Sequence, residues 1–238
     1  MAIPENRRIF IAANHEEASR TAANIFVKAA KSAVEDHGTF RVALSGGGTP
    51  KRMYELLVSD EFGGEIQWDA VQIYFADERC VPLDDDESNY RLVKETILNE
   101  VSIPENQIHK MYDGEIPLEK IPEIIGREYN NRLDMIVLGM GDDGHTASLF
   151  PGSEIFDGYV GKVAVISGPK PPNPRVTITP GVMEEAAELL MIATGAGKAF
   201  AVQAALEGIL DARQCPAQIA RRGIWVLDEG SSGNLAKQ

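Results

Sequence analysis

The feature that most constrains the fold of this 238-residue sequence is the alternation of short apolar segments with longer amphipathic ones. Some of the apolar segments, such as Met135–Leu138, have no polar position at all, which is typical of strands buried on both faces. Eight segments are expected to be strands: Ile9–Ala12, Arg41–Leu44, Val71–Phe75, Met135–Leu138, Val163–Ile166, Arg175–Ile178, Leu189–Ala193 and Ile224–Leu227. The amphipathic stretches predict helices over about residues 15–36, 50–58, 88–98 and 198–210.

Strands that alternate with helices predict an α/β fold with a Rossmann-like, mostly parallel sheet and helices on both faces. No internal repeat and no interdomain linker is evident, so a single domain over residues 1–238 is expected, with a flexible tail at about residues 230–238. Ligands of such folds bind at the carboxyl ends of the strands, where loops and helix N-termini converge. The polar motifs of this chain fall at those ends.

Composition excludes several classes of function. The formal net charge of −13 argues against a protein that binds a nucleic acid backbone, although a few local cations can still bind a small phosphorylated ligand. The two cysteines, Cys80 and Cys215, lie far apart, which argues against a disulfide framework or a cysteine zinc site. Neither a signal peptide nor an apolar run of membrane-spanning length is present, so no membrane partner and a cytoplasmic location are expected.

A glycine-rich turn follows the second predicted strand. Ser45, Gly46, Gly47, Gly48 and Thr49 lead directly into a predicted helix, with Thr49 as the N-cap and Pro50 in the first turn. Three glycines allow a close approach of the backbone to an anion, and the helix start offers free N–H groups. The segment therefore indicates a phosphate site, although a tight turn that needs glycine only for its geometry remains the alternative.

An acidic loop is expected after the third strand. Asp77 and Glu78 stand where catalytic carboxylates often occur in α/β folds, and Arg79 could bind a carboxylate, a phosphate or a sugar hydroxyl. The alternative is a capping loop whose charges are solvated, and we favour that interpretation for residues 84–87. Cys80 has no histidine beside it in the sequence, which argues against a nucleophilic role.

The segment Gly139–His145 contains the most informative pattern. Its glycines match G-x-G-x-x-G, but Asp142 and Asp143 would repel a dinucleotide pyrophosphate. We expect His145 to lie at a helix N-terminus, where the helix dipole would keep the imidazole neutral and able to act as a general base. Asp143 could orient the ring. A structural histidine that caps a helix is the alternative.

Two cations follow later strands. Arg175 comes after a proline-rich stretch that is expected to be a surface loop, and Lys198 follows the Gly195–Gly197 turn. Either could be a solvated surface charge. Both could also supply the positive charge that a phosphate site in an acidic protein needs.

Taken together, the motifs SGGGTP, FADERCVP…ESNY, GMGDDGHTASLFPG, NPRVTITP and GAGKA resemble the 6-phosphogluconolactonase family from about residue 40 to residue 200. The family is part of a larger group with the glucosamine-6-phosphate deaminases, which share the glycine turn and the Asp-Gly-His core. The deaminases tend to have an aromatic residue after the Asp-Glu pair and Phe-Asn-Glu after the histidine. Here Arg79 and the run from Ser148 to Pro151 stand instead, which favours the lactonase.

The resemblance implies hydrolysis of 6-phospho-D-glucono-1,5-lactone to 6-phospho-D-gluconate, the second step of the oxidative pentose phosphate pathway. It implies no organic cofactor, and neither a metal nor a nucleic acid is expected; the assembly is expected to be a monomer or a small homo-oligomer. By this resemblance His145 would activate water, while Asp143, Asp77 and Arg79 would assist at the reacting centre. The residues carried over for the phosphate are Ser45, Gly46, Gly47, Gly48, Thr49, Arg175 and Lys198.

Three alternatives remain open. In a glucosamine-6-phosphate deaminase-isomerase, Asp77 would abstract a proton from carbon, and ammonia release would reveal that activity. A non-catalytic sugar-phosphate sensor usually carries an output domain, for which we expect no room before the first strand. A nicotinamide-dependent oxidoreductase would be detected by cofactor titration.

Overall fold

The structure, a computed structural model, describes residues 8–236. In this range the strands are β1 Arg8–Ala12, β2 Phe40–Leu44, β3 Val71–Phe75, β4 Asp77–Arg79, β5 Met135–Leu138, β6 Val163–Ile166, β7 Arg175–Ile178, β8 Glu188–Ala193 and β9 Ile224–Asp228. The α-helices are α1 His15–His37, α2 Gly48–Leu57, α3 Asn89–Val93, α4 Ile121–Glu128, α5 Pro180–Glu185 and α6 Ala199–Leu206.

Six of the strands form a central sheet in the order β1-β9-β8-β5-β2-β3, and every neighbouring pair in it is parallel. All four residues of β5 are fully buried, as are Leu189 to Ile192 of β8. Because successive side chains of a strand point to opposite faces, both faces of the sheet are covered at its centre. The expected α/β fold with a mostly parallel sheet is confirmed.

The other three strands form a second, antiparallel sheet in the order β4-β7-β6. The sequence predicted β6 and β7 as strands but not their separation from the parallel sheet. The expectation of a loop at Asp77–Arg79 was wrong, because this charged segment is strand β4 and pairs with β7. The side chains of Asp77 and Arg79 therefore share one face of this sheet, with Glu78 on the other.

Ala76 joins the two sheets. Its backbone N–H donates to the carbonyl of Leu44 in β2, and its carbonyl accepts from the N–H of Ile178 in β7. The chain thus passes from β3 of the parallel sheet to β4 of the antiparallel sheet across a single residue. This places β4 and β7 beside the carboxyl ends of the central strands, where a ligand site is expected.

The helices begin and end for identifiable reasons. Helix α1 starts after Asn14, whose side chain accepts from the N–H of Glu17, and ends at Gly38 in the left-handed conformation. The expectation that Thr49 caps α2 was wrong. Gly47 occupies that position with φ +99°, a value that a side chain disfavours, and the helix starts at Gly48.

The helix expected over about residues 88–98 is present as α3, Asn89–Val93, which continues as one π-helical turn over Lys94–Leu98. Another helix is shorter than expected. Helix α6 ends at Leu206 instead of about residue 210, because the N–H groups of Glu207 and Gly208 both bond to the carbonyl of Gln203.

The tail that was expected to be flexible is hydrogen-bonded to the body of the protein as far as the structure describes it. Ser231 is fully buried and donates to the carbonyl of Ala193, and the N–H of Ala236 donates to the carboxylate of Glu207. Residues 237–238, which belong to the same prediction, lie outside the described range. Among residues 8–236 there is no helix with the length and apolar character needed to cross a membrane.

Candidate active site

A cavity of about 270 Å³ lies at the carboxyl ends of the central strands. Its walls come from both sheets, and its lining contains the predicted residues Ser45, Gly46, Gly47, Gly48, Thr49, Asp77, Arg79, His145, Arg175 and Lys198. Asp143 does not line the cavity but contacts His145 from behind. The structure therefore brings together residues that are up to about 150 positions apart in the sequence. Their individual roles stay predictions.

The glycine turn presents its backbone to the cavity, while the hydroxyl of Ser45 is engaged in the fold. Ser45 is buried, and its Oγ donates to the carbonyl of Val137 over 2.8 Å. Its backbone N–H donates to the hydroxyl of Tyr54, which donates in turn to the carbonyl of Ser45. Since the single proton of Ser45 Oγ is used, an anion in this turn would depend on backbone N–H groups and Thr49.

Asn89 is a cavity residue to which sequence reasoning gave no role. It is buried, and its Nδ2 donates to both the carbonyl and the carboxylate of Asp77, over 2.8 and 2.9 Å. A Cβ on Gly46 would lie 1.8 Å from Asn89 Oδ1, so the glycine leaves room for this amide. Gly46 is therefore required for packing as well as for a possible approach to an anion.

The two carboxylates after β3 have different surroundings. Asp77 lines the cavity, and its second oxygen accepts from the hydroxyl of Ser148 over 2.6 Å. Glu78 points to the other face and accepts from the backbone N–H groups of Arg79, Asn89 and Tyr90. Burial raises the pKa of Glu78, and this effect is larger than the opposite effect of the three hydrogen bonds. Glu78 therefore holds the loop that carries Asn89, and only Asp77 can contact a substrate.

Two arginines lie directly opposite each other, Arg79 in β4 and Arg175 in β7. Arg175 is 5% exposed, and burial together with the charge of Arg79 lowers its pKa. Arg79 donates through Nη1 to the carbonyl of Glu87, but its buried Nε has no hydrogen-bond partner among the described residues. Like charges directly across a strand pair are unfavourable, so this arrangement favours an anion between or beside them.

His145 is held by Asp143. Its ring Nδ1 lies 2.5 Å from Asp143 Oδ1, and its backbone N–H donates to the same oxygen over 3.1 Å. Burial alone would raise the pKa of Asp143, but the hydrogen bonds and charge of His145 and the charge of Lys170 lower it. Because an ionised carboxylate only accepts, Nδ1 carries the proton and Nε2 is left as the basic nitrogen of the neutral ring.

The expectation that His145 starts a helix was wrong. Residues 146–149 form a turn closed by a bridge between Thr146 and Leu149, in which Ala147 has φ +48°. The helix dipole argument for a neutral ring therefore does not apply. The orientation of His145 comes instead from Asp143 and from the ring of Phe150, whose centroid is 4.9 Å away.

Lysines border the cavity on two sides. Lys198 follows a turn in which the N–H of Gly195 donates to the carboxylate of Asp228 over 2.9 and 3.0 Å. Lys170 belongs to the proline-rich loop that was expected to be only surface. Its Nζ lies 3.0 Å from Asp142 and 3.6 Å from Asp143. Sequence reasoning missed Lys170 because its position in the cavity depends on the fold of that loop.

Within residues 8–236 no group of three or more His, Cys, Asp or Glu side chains is arranged to hold a metal ion.

Comparison with known proteins gives a consistent result. The sequence profile of the family described as glucosamine-6-phosphate isomerases/6-phosphogluconolactonase matches residues 13–226. A probable 6-phosphogluconolactonase of Schizosaccharomyces pombe is 34% identical over 89% of this chain and 90% of that protein. The 6-phosphogluconolactonase of Synechocystis is 34% identical over 85% of this chain and 88% of its own length. The solved structure of 6-phosphogluconolactonase from Trypanosoma brucei superimposes with a TM-score of 0.83 at 26% identity, covering 97% of this chain and 99% of that chain.

Proposed function

This chain belongs to the family of glucosamine-6-phosphate isomerases and 6-phosphogluconolactonases, and we propose from that premise that it hydrolyses 6-phospho-D-glucono-1,5-lactone to 6-phospho-D-gluconate with His145 as the general base. One observation supports the proposal above all. A histidine whose Nδ1 is bonded to a carboxylate lies in the same cavity as a glycine turn and the cations Arg79, Arg175 and Lys198. A base and an anion site in one cavity suit hydrolysis of a phosphorylated lactone.

The first step is the attack of water on the lactone carbonyl. With the Nδ1 proton donated to Asp143, Nε2 of His145 accepts a proton from the water as its oxygen adds to the carbonyl carbon. The carboxylate of Asp143 stabilises the imidazolium that forms. Arg79 supplies positive charge for the oxygen that becomes the tetrahedral oxyanion.

In the second step the intermediate collapses. The bond from the former carbonyl carbon to the ring oxygen breaks, and the imidazolium of His145 returns its proton to that oxygen. The product is the open-chain acid, and the histidine is again neutral. A lactone of this type also hydrolyses without an enzyme, so one positioned base and one electrostatic contact are a sufficient catalytic apparatus.

The phosphate end is assigned to the turn Ser45–Thr49 with Arg175 and Lys198. The turn offers backbone N–H groups at the start of α2, and the two cations lie in the same cavity. Any phosphate bound there would be held by charge-assisted hydrogen bonds in a protein whose net charge is −13.

The surroundings of Asp77 favour the lactonase over a deaminase-isomerase. A carboxylate that abstracts a proton from carbon needs an oxygen directed at the substrate. Here one oxygen of Asp77 accepts from Ser148 and the other from Asn89, and both partners are buried. Asp77 is therefore better placed to orient other groups than to act as the base.

The test is a coupled assay with freshly generated lactone, corrected for spontaneous hydrolysis. We expect His145→Ala to lower kcat by about 10²- to 10⁴-fold with little change in 6-phosphogluconate binding. Lys198→Ala, as the matched comparison, should mainly raise KM. No lactonase activity in the native chain, or ammonia release from glucosamine 6-phosphate instead, would overturn the function; full activity of His145→Ala would overturn only the role of the histidine.

We further propose that the enzyme needs no cofactor or metal, acts in the cytoplasm without a nucleic acid or membrane partner, and is a single domain that works as a monomer or a small homo-oligomer. The net charge of −13 supports only one part of this, the absence of a nucleic acid partner. Activity that survives chelation and gel filtration without added cofactor is the expected result.

A further inference from the structure

Ser148 is the residue at which the carboxylate of Asp77 and the guanidinium of Arg175 meet. Its hydroxyl donates to Asp77 Oδ2 over 2.6 Å and accepts from Arg175 Nη1 over a longer 3.4 Å. Ser148 is fully buried, and Asp77 and Arg175 are each 5% exposed. The backbone N–H of Ser148 donates to Thr177 Oγ1, which fixes the serine against β7.

The direction of these hydrogen bonds is determined by chemistry. A guanidinium has only donors, so Arg175 must donate to Ser148 Oγ. The single proton of that hydroxyl is then available for Asp77. Ser148 therefore gives the carboxylate a neutral donor and the guanidinium a neutral acceptor.

The consequence for Arg175 is that no carboxylate is bonded to it directly, although the nearby charges of Asp77 and Glu87 act on it and raise its pKa against the effect of burial. Within residues 8–236 no ion pair joins it to a carboxylate, and its other acceptors are the backbone carbonyls of Lys170, Pro171 and Pro172. Its guanidinium carbon lies over the ring of Phe150, 5.6 Å from the ring centroid. A buried cation with only neutral partners is suited to bind an anion that enters the cavity.

Without the serine hydroxyl, a direct pair between Asp77 and Arg175 becomes available. The strand register places Asp77 opposite Thr177, so that Arg175 is its diagonal neighbour on the same face. A long arginine side chain reaches a diagonal neighbour. Such a pair would remove from the cavity both the free charge of Arg175 and the present orientation of Asp77.

We propose that Ser148 is a positioning residue that keeps Asp77 and Arg175 apart, so that Arg175 remains free to bind the anionic group of the substrate. The inference rests on the proposed function, because it takes a sugar phosphate as the occupant of this cavity. It assigns to a buried hydroxyl a role in substrate affinity without direct contact with the substrate.

The experiment is a double-mutant cycle in which the dissociation constant of 6-phosphogluconate is measured by calorimetry. Ser148→Ala should weaken this binding by about tenfold or more, as expected when a charge-assisted contact is lost. In the Asp77→Asn background the carboxylate that could capture Arg175 is absent, so adding Ser148→Ala should change the constant less than about twofold. Steady-state kinetics of Ser148→Ala should show a larger change in KM than in kcat.

Thr146→Val is the matched control, because it removes another buried hydroxyl from the same turn. This hydroxyl donates to the carbonyl of Gly139, and among the described residues it forms no hydrogen bond with Asp77 or Arg175. The affinity of this variant should stay near that of the native protein. Thermal unfolding checks that each variant is folded. Should Ser148→Ala alone not fold, Asp77→Asn is compared with the double variant, and a weakening of about tenfold between these two would still overturn the inference.

Three outcomes overturn the inference: unchanged affinity in Ser148→Ala, equal weakening in both backgrounds, or the same weakening in Thr146→Val. Absence of 6-phosphogluconate binding and of lactonase activity in the native chain would instead overturn the proposed function. The two failures are therefore distinguishable.

Discussion

Single residues of the cavity show how an acidic protein can still bind an anion. Arg175 is shielded from the acidic surface by burial, and only neutral groups satisfy its hydrogen bonds. Charges separated by more than about 8 Å in solvent are largely screened at physiological ionic strength. Anion binding in this cavity would therefore depend on the local cations and not on the net charge of the whole chain.

Cys80 follows Arg79 directly, yet its surroundings make it unreactive. Burial, with a smaller effect of the Glu78 charge, raises the pKa of its thiol to about 11. At pH 7.5 the thiolate fraction is then about 300-fold below that of a free cysteine of pKa about 8.5. We expect iodoacetamide to modify Cys80 at least about 100-fold more slowly than glutathione, with a rate that rises toward pH 11.

Mass spectrometry of the alkylated peptide measures the rate at which Cys80 is modified. The Cys80→Ser variant retains only Cys215 and so shows which signal comes from that second cysteine. Modification at the rate of a free thiol would show that the site is open and the thiol ionised. The same result, together with loss of activity, would reinstate Cys80 as a candidate nucleophile.

At the scale of elements, the turn after β5 needs a glycine at position 141 more than at position 139. A Cβ on Gly141 would lie 2.1 Å from His145 Nδ1 and 2.3 Å from Asp143 Oδ1, whereas a Cβ on Gly139 would meet only Pro50 Cγ, at 4.0 Å. Gly141→Ala should therefore break the His145–Asp143 pair and lower kcat by about 10²-fold or more, with 6-phosphogluconate affinity largely retained.

Gly139→Ala is the matched control in the same turn and should keep most of the activity. Steady-state kinetics and calorimetry on both variants measure the difference. Equal losses would mean that the turn as a whole was disturbed, and full activity of Gly141→Ala would show that the pair is dispensable.

The elements also show which parts of the molecule the sequence could predict. The parallel strands were recognisable because apolar segments buried on both faces have few other interpretations. Strand β4 was not, since three charged residues resemble a loop until β7 is known to pair with them. The helix expected at His145 was wrong because the sequence does not reveal that residues 146–149 close a turn through the Thr146–Leu149 bridge.

The site residues likewise divide into those that the sequence could predict and those that depend on contacts distant in the sequence. Ser45–Thr49, Asp77, His145 and Lys198 lie in segments that follow the carboxyl ends of parallel strands. Local pattern and fold class together therefore predict that they share one cavity. Asn89, Ser148 and Lys170 do not carry such a signal. Their contacts with Asp77 or Asp143 span 12, 71 and 27 positions, respectively, and depend on how loops fold over the strand ends.

At the scale of the whole molecule, the two sheets contribute different parts of the chemistry. The parallel sheet supplies the glycine turn, the histidine and Lys198, while the antiparallel sheet supplies Asp77, Arg79 and Arg175. Ala76 links the sheets by a hydrogen bond to each. The position of Arg79 and Arg175 relative to His145, the proposed base, therefore depends on this junction.

Asp228 contributes both to the stability of the fold and to the position of the turn that precedes Lys198. It lies at the end of β9, is 8% exposed, and accepts from the N–H groups of Gly195 and Ser231. Burial alone would raise its pKa, but these hydrogen bonds outweigh burial and lower it. A carboxyl whose folded pKa is below its unfolded value of about 3.9 stabilises the fold above that pH, and its contribution is lost as the pH falls through the folded pKa.

We therefore expect Asp228→Asn to reduce the free energy of unfolding by about 1–3 kcal/mol at pH 7, because two hydrogen bonds lose their charged acceptor. Urea unfolding between pH 3 and pH 7 measures the difference in the free energy of unfolding between the two proteins. This difference should become smaller as the pH falls below about 4, because the unfolded chain then binds a proton that the folded carboxylate resists. Asp60→Asn, at an exposed position, is the control for general charge effects.

Because Asp228 also holds the turn before Lys198, KM for the lactone should rise in the Asp228→Asn variant. A stability gap of the same size at pH 3 and pH 7 would show that packing, and not the ionised carboxylate, links β9 to the cavity.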